Sequence, residues 1–238
     1  MKLLILSDLH LELWREQAPR IDVSLSKPDV VILAGDISTG TKAVEWAAQA
    51  FANLPVVYVA ENHEAYGDTL VKVEVGIREA TTTHPQVHFR NCDEYVLGNV
   101  RFLGCTLWTD FQLFGDDTRL SAMVDAQAAM NDYRRIRRAR DYRKLQPSDT
   151  ARIHALHKSW LTRKLAEPFE GKTVVVTHMA PSMKSVAERY AGDLVSAAFA
   201  SNRSIWLNRR IYGYMAICMT VLIIGSGSAG SSVIHWVI

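Results

Sequence analysis

The sequence predicts an α/β protein with mostly parallel strands, and three observations carry that prediction. Continuous apolar runs, rich in β-branched residues, recur at Lys2–Ser7, Asp29–Ala34, Val56–Ala60 and Lys172–Thr177. Runs without polar alternation are those of strands buried on both faces, as in parallel sheets covered by helices. Segments with helical periodicity lie between the first three. Every run is also followed by a polar side chain able to bind a metal: Asp8 and His10, then Asp36 after Gly35, then Asn62-His63-Glu64, then His178. Strand C-termini of parallel α/β sheets converge on one crevice, so these side chains are expected to meet.

Taken in order, Thr39–Leu54 reads as a helix with Val44, Ala47, Ala48 and Phe51 on one face, and Thr69–Ala80 as another. Short strands are expected at Val87–Phe89, Glu94–Leu97 and Val100–Cys105, with Gly98-Asn99 as a hairpin turn. A long helical region is expected from Arg119 to Leu145. A further helix begins near Pro147-Ser148, with Ser148 as N-cap and Ile153, Leu156, Trp160, Leu161 and Leu165 as its buried stripe.

The chain has 238 residues, 48% of them hydrophobic and 22% charged, which suits an ordinary globular protein with a substantial core. A net charge of +2 gives no general case for nucleic acid or an anionic membrane. The three cysteines, Cys92, Cys105 and Cys218, fall in no metal-ligand spacing and are odd in number. A reduced, cytoplasmic setting follows, without a disulfide framework. Lys2 before an apolar stretch superficially resembles a signal peptide, but Asp8 and His10 interrupt the stretch too early.

Asp, His and Asn together form a nitrogen and oxygen donor set without thiolate, which suits Mn, Fe or Zn. Asp8 and His10 are two apart, so on extended backbone they point the same way and can grip one ion. Asp36 can bridge two ions, while Asn62 and His178 serve the second. Two ions so placed can hold a hydroxide for in-line attack on phosphorus and neutralise phosphoryl charge. His63 stands beside Asn62 but points elsewhere, as an acid for the leaving oxygen.

The ordered series Asp8-x-His10, Gly35-Asp36, Asn62-His63-Glu64 and a strand ending in His178 resembles the calcineurin-like metallophosphoesterase superfamily over roughly residues 1–202. Thr177–Ser182, Tyr190–Asp193 and Ala198–Asn202 resemble a bacterial branch of it. The resemblance implies a two-layer β-sandwich flanked by helices, a dinuclear metal centre and hydrolysis of a phosphomonoester or phosphodiester. By matching position, Asp8, His10, Asp36, Asn62 and His178 would be metal ligands and His63 the catalytic acid. The implied substrate is a phosphorylated small molecule or nucleotide-like compound, with nucleic acid unsupported and no membrane expected.

Two departures stand out. Glu61 occupies the place where the family has glycine before Asn-His, so strain or a displaced Asn62 is expected. The family's terminal Gly-His-x-His is missing, and His235 is the only histidine after His178. Beyond Arg210 no charged residue appears, and residues 225–232 are rich in Gly and Ser. Met215–Ile224 falls well short of the ~20 apolar residues of a membrane span, which disfavours a membrane-tethered module.

A shifted reading frame explains the tail better. Ile211–Ile224 can be encoded so that the frame opening on the third base of the Ile211 codon reads Leu-Trp-Ile-His-Gly-His-Met-His-Asp-Ser-Phe-Asp-Tyr. Met215-Ala216 force its glycine and Met219-Thr220 its aspartate. In the same frame Val233–Ile238 can give Asn-Pro-Leu-Gly-Tyr, with Leu and Gly forced by His235-Trp236-Val237. On this reading residues 1–202 are the metallophosphoesterase-like domain and 203–238 an aberrant tail. The last sheet strands would be missing or replaced, and the second metal site weakened. Activity would be reduced or, in a non-catalytic remnant of a disrupted gene, absent.

Basic residues cluster from Arg134 to Lys144. They form either a solvated helix face or a phosphate-steering patch beside the crevice, where Tyr133 and Tyr142 could stack on a base. Trp108–Phe111 lines the crevice or packs in the core, and His84, His88, His154 and His157 read as surface or structural histidines.

Overall fold

Alternate residues of the buried runs serve two different cores, and this alternation sets the layers. A computed structural model describes residues 1–14, 17–18, 20–202, 211–216 and 219–225. In β1 (Leu3–Leu6), β2 (Val30–Ala34) and β3 (Val56–Val59), the side chains of Leu3, Ile5, Val30, Ile32, Val57 and Val59 pack with Val100, Phe102, Val174 and Val176 of a second sheet. Their neighbours Leu4, Leu6, Val31, Leu33, Val56 and Tyr58 face the helices. Period-two geometry thus buries both faces of each strand. The two sheets form a β-sandwich with helices outside it.

The first sheet is wholly parallel, in the order β1-β2-β3-β4, where β4 is Val87–Phe89. The second runs β5 (Asp93–Leu97), β6 (Val100–Gly104), β7 (Lys172–Thr177), β9 (Met219–Gly225), β8 (Ile211–Ala216). β6 and β7 are parallel, and the other pairs antiparallel. The hairpin at Gly98-Asn99 is present, with Gly98 left-handed at φ +57° and Leu97 registered with Val100. The tail segment contributes the β8–β9 ribbon, and β9 pairs with β7 from Lys172↔Gly225 to Thr177↔Thr220. No described helix is long and apolar enough to cross a membrane.

Helices α1 (Leu11–Trp14), α2 (Lys42–Ala50) and α3 (Leu70–Thr81) connect the first sheet. Thr69 caps α3, its hydroxyl accepting from the Lys72 amide at 3.2 Å. Three expectations need correction. The region Arg119–Leu145 is helical only in α4 (Arg119–Ala129) and α5 (Asp132–Arg135). Its remainder is a loop, in which Arg137 bridges to Thr69 and to Lys144. The N-cap of α6 (Pro147–Ala166) is Gln146, not Ser148, because Asp149 accepts from the Gln146 amide at 3.0 Å and Pro147 takes the first helical position. The buried face of α6 is also turned from the expected stripe. Ala151, His154, His157 and Leu161 are buried, while Leu156 is 65% exposed. Backbone groups of the loop after β6 explain the rotation. The Leu107 amide donates to His157 Nδ1 at 3.2 Å, and His154 Nδ1 lies 3.2 and 3.0 Å from the Leu107 and Trp108 carbonyls. Leu107 and Trp108 are left-handed, at φ +75° and +52°, so two imidazoles hold a strained turn. Trp108 and Phe111 pack in the main core.

Candidate metal centre

The loops after β1 and β2 are laced together beyond the last strand pair. The Asp8 amide donates to the Gly35 carbonyl at 3.1 Å, His10 to Asp36 at 3.0 Å and Leu11 to Ile37 at 2.9 Å. To make these bonds while leaving the strand direction, Asp8, His10 and Asp36 all take left-handed backbone, at φ +52°, +45° and +55°. Each costs of order 1–3 kcal/mol, a strain concentrated where side chains must converge.

The turns separate Asp8 from His10. The segment is not extended, and the two side chains enter different groups. Asp8, Asp36 and His178 bring one donor atom each within 4.8 Å of one another, and so do His10, Glu12 and His63. Asp36 stands between the groups, its Oδ2 lying 3.9 Å from His178 Nε2 and 4.0 Å from His10 Nε2. His178 Nδ1 donates to the Ala34 carbonyl at 2.8 Å, which leaves Nε2 as the nitrogen turned to Asp36. His63 Nδ1 lies 3.2 Å from Glu12 Oε1 and 3.1 Å from His10 Nδ1.

Gly35 makes the close packing possible. It sits at φ +86°, and a Cβ there would meet His178 Nδ1 at 2.5 Å and Glu61 Cβ at 2.8 Å. Glu61 itself avoids the left-handed region, and Asn62 is right-handed at φ −66°, so the expected backbone strain at this pair is absent. The substitution shows instead as a buried carboxyl. Glu61 is 3% exposed and accepts from the Asn62 amide through Oε2, while Oε1 is buried without a partner. Burial, then the carboxylates of Asp36 and Asp132, push Glu61 well above the ordinary carboxyl range.

Three further residues that sequence reasoning did not assign organise the site. Glu64, 1% exposed, accepts from the amides of Ile37 and Glu61 at 2.9 Å, from that of Asp36 at 3.3 Å and from the Tyr58 hydroxyl at 2.9 Å. One side chain thus ties the ends of β2 and β3 together. Asp132 of α5 accepts from Asn62 Nδ2 and from the Tyr66 hydroxyl, both at 2.7 Å, so the Asn62 carbonyl is the end left for another partner. Glu12 supports His63. Glu64 was visible beside His63 in sequence, and Glu12 lies two residues from His10. Asp132 carries no local signal, since it is 70 residues from Asn62.

The donor set fits a divalent cation. Burial lifts Asp36 to about 7, with His178 opposing the rise and Glu64 and Asp8 adding to it. Burial lowers the proton affinity of His178, but Asp36 and Asp8 outweigh it and hold the imidazole above its ordinary value. A buried carboxylate beside an imidazole nitrogen, short of positive charge, is the arrangement a cation relieves.

The family model for calcineurin-like phosphoesterase matches residues 1–207. No curated protein sequence matches. Among solved structures, phosphopantetheinyl hydrolase (PptH) from Mycobacterium tuberculosis superposes with a TM-score of 0.61 at 13% identity, covering 92% of this chain and 87% of that one. PigF with SAH gives 0.33 at 13% identity, over 85% of this chain and 52% of that one. The first likeness bears on the fold alone. With the family model spanning most of the sequence, the chain belongs to the calcineurin-like phosphoesterases.

Proposed function

We propose that this chain is a phosphoesterase of a phosphorylated small molecule or nucleotide-like substrate, working in a cytoplasmic setting with an incomplete metal centre. The observation that carries the proposal is the convergence of Asp8, Asp36 and His178 within 4.8 Å at the ends of β1 and β2 of the first sheet and β7 of the second. Asp8, Asp36 and His178 would hold one ion, with Asp36 shared toward His10 and Asn62 for a second; Mn, Fe and Zn all suit the donors. Such ions, when bound, neutralise phosphoryl charge and activate a nucleophile. His63 supplies the proton to the leaving oxygen from Nε2, because Nδ1 faces Glu12 Oε1 at 3.2 Å. Asp132 and Tyr66 fix the Asn62 amide so that its carbonyl faces the pocket.

We further propose that residues 203–238 replace the authentic end of the domain through a frameshift, which weakens the second ion. Two observations support this. The family match ends at residue 207. In the alternative frame Gly-His-x-His falls across positions 215–219, where β8 ends at Ala216 and β9 begins at Met219, beside Thr177↔Thr220 and hence next to His178. Histidines at that point would reach the site from the second sheet.

The test restores the frame and measures metal content and hydrolysis of an aryl phosphate in both chains, with Asp36→Asn as control. The restored chain should hold about two ions and the present one fewer, with turnover at least tenfold lower. Equal metal content and turnover in the two would refute the proposed incompleteness; no metal in either would refute the centre itself.

A further inference from the structure

Among the arginines of α5 and the loop after it, Arg135 at the end of α5 is the one that reaches the rings of the site, while Arg137 lies over Tyr142, 5.7 Å from its centre. Arg138 and Arg143 are taken up by Asp141 and Asp149, and Arg134 donates to the Ala128 carbonyl. Arg135 is exposed, and among the described residues no carboxylate pairs with it. Its guanidinium lies 4.5 Å from the centre of the Tyr66 ring. Tyr66 in turn lies 4.2 Å, ring to ring, from His63, and His63 4.3 Å from His10. A free cation thus ends a ladder of rings that begins in the metal centre.

The backbone under this ladder is fixed from both sides. The Gly67 amide donates to the Arg135 carbonyl at 3.0 Å, and the Arg137 amide to the Asp68 carbonyl at 2.8 Å. Asp132, one turn before Arg135 on α5, holds both Asn62 and the Tyr66 hydroxyl. The segment that carries Arg135 is therefore built into the support of the site. Its charge is also needed there, because Asp8, Asp36, Glu12, Glu64 and Asp132 surround the pocket with carboxyl groups that repel an anion.

We infer that Arg135 binds a second anionic group of the substrate, placed two ring-stacking steps from His63. This inference rests on the proposed phosphoesterase reading and narrows its substrate class to organophosphates with another phosphate or carboxylate several bonds from the scissile one. Arginine on an aromatic face keeps its donors pre-organised for such a group. Tyr133, a candidate for stacking on a base, is excluded as a contact, since it is 4% exposed and meets Thr150 at 3.2 Å.

The test is calorimetric titration of the full chain with fructose 1,6-bisphosphate and with fructose 6-phosphate as probes, with and without Mn²⁺. The wild type should bind the bisphosphate about tenfold more tightly, the scale of one charge-assisted contact. Arg135→Ala should abolish that preference by weakening only the bisphosphate, Arg135→Lys should recover part of it, and Arg140→Ala should leave it intact. An unchanged preference in Arg135→Ala, equal losses for both probes, or no bisphosphate preference in the wild type would each overturn the inference. Failure of the phosphoesterase reading appears separately, as absent metal uptake and absent aryl phosphate hydrolysis, because the titration needs no turnover.

Discussion

Histidines serve opposite purposes in the two halves of this molecule. In the first sheet, His10 and His63 are partly exposed, and their rings face each other and a carboxylate. Beside the second sheet, His154 and His157 are almost wholly buried, and their Nδ1 atoms meet backbone groups of Leu107 and Trp108. The same side chain is a candidate for chemistry in one half and a brace in the other. Exposure and the identity of the nearest polar atom separate the two roles; sequence spacing does not. The halves also differ in how many strand ends feed the site. β1, β2 and β3 lead into Asp8 and His10, Asp36, and Asn62 and His63, whereas in the second sheet β7 leads into His178.

If the first half depends on cross-tied strand ends, the tie should be its weakest point. Glu64→Ala leaves the amides of Asp36, Ile37 and Glu61 and the Tyr58 hydroxyl without their acceptor. With each orphaned donor costing ~1–3 kcal/mol, the total should reach about 5 kcal/mol. Urea unfolding gives the number, and a loss under about 1 kcal/mol would mean that water replaces the carboxylate freely. Gly35→Ala should rank next, at about 3 kcal/mol, since it combines left-handed backbone with overpacking. Its added methyl would push on His178 Nδ1 at 2.5 Å. Stability and metal content should therefore fall together, and a stable, metal-loaded Gly35→Ala chain would show that the two sheets approach less closely than described.

The brace in the other half makes a pH-dependent prediction. Burial, then the neighbouring His154, lowers His157 from 6.5 to about 4. The unfolded chain therefore takes up this proton at a higher pH than the folded one. Stability from His157 is fully present above about pH 6.5 and is lost as pH falls toward 4, by on the order of 3 kcal/mol. In His157→Asn, whose amide oxygen takes the place of Nδ1 and can still accept from Leu107, that part of the acid slope should vanish. Denaturant melts from pH 7 to pH 4 on both proteins measure the difference, and parallel slopes would show that the imidazole is protonated where it stands.

How much of this was legible in the sequence follows the same division. The strands of the first half were readable because burial on both faces leaves an unbroken apolar run. Their ends were readable because polar residues directly after such runs have few other reasons to be there. The face of α6 was misread because Ile153, Leu156, Trp160 and Leu165 fit a helical stripe, and nothing local says that His154 and His157 answer a strained turn some 50 residues away. The break after α4 was hidden for a similar reason. Arg134–Arg140 looks helical by composition, but the chain must bring Asp132 to Asn62 and lay Arg137 beside Thr69. Contacts of that range leave no periodic trace.

Thr69 is where the comparison is finest, because it belongs to both regions. Its hydroxyl caps α3, while its backbone bridges to Arg137 in the loop that follows α5 and Arg135. Thr69→Ala removes the cap and keeps the bridge, since the bridge uses main-chain atoms alone. The expected cost is about 1 kcal/mol, the usual value of a lost N-cap oxygen, and Thr69→Ser should restore most of it. Hydrogen exchange resolves where the loss falls. The first-turn amides of α3, led by Lys72, should exchange faster in Thr69→Ala, while the Arg137 amide, bonded to the Asp68 carbonyl at 2.8 Å, should keep its protection. If Arg137 loses protection as well, the cap and the bridge form one unit, and the two halves are coupled more tightly at Thr69 than their separate hydrogen bonds imply.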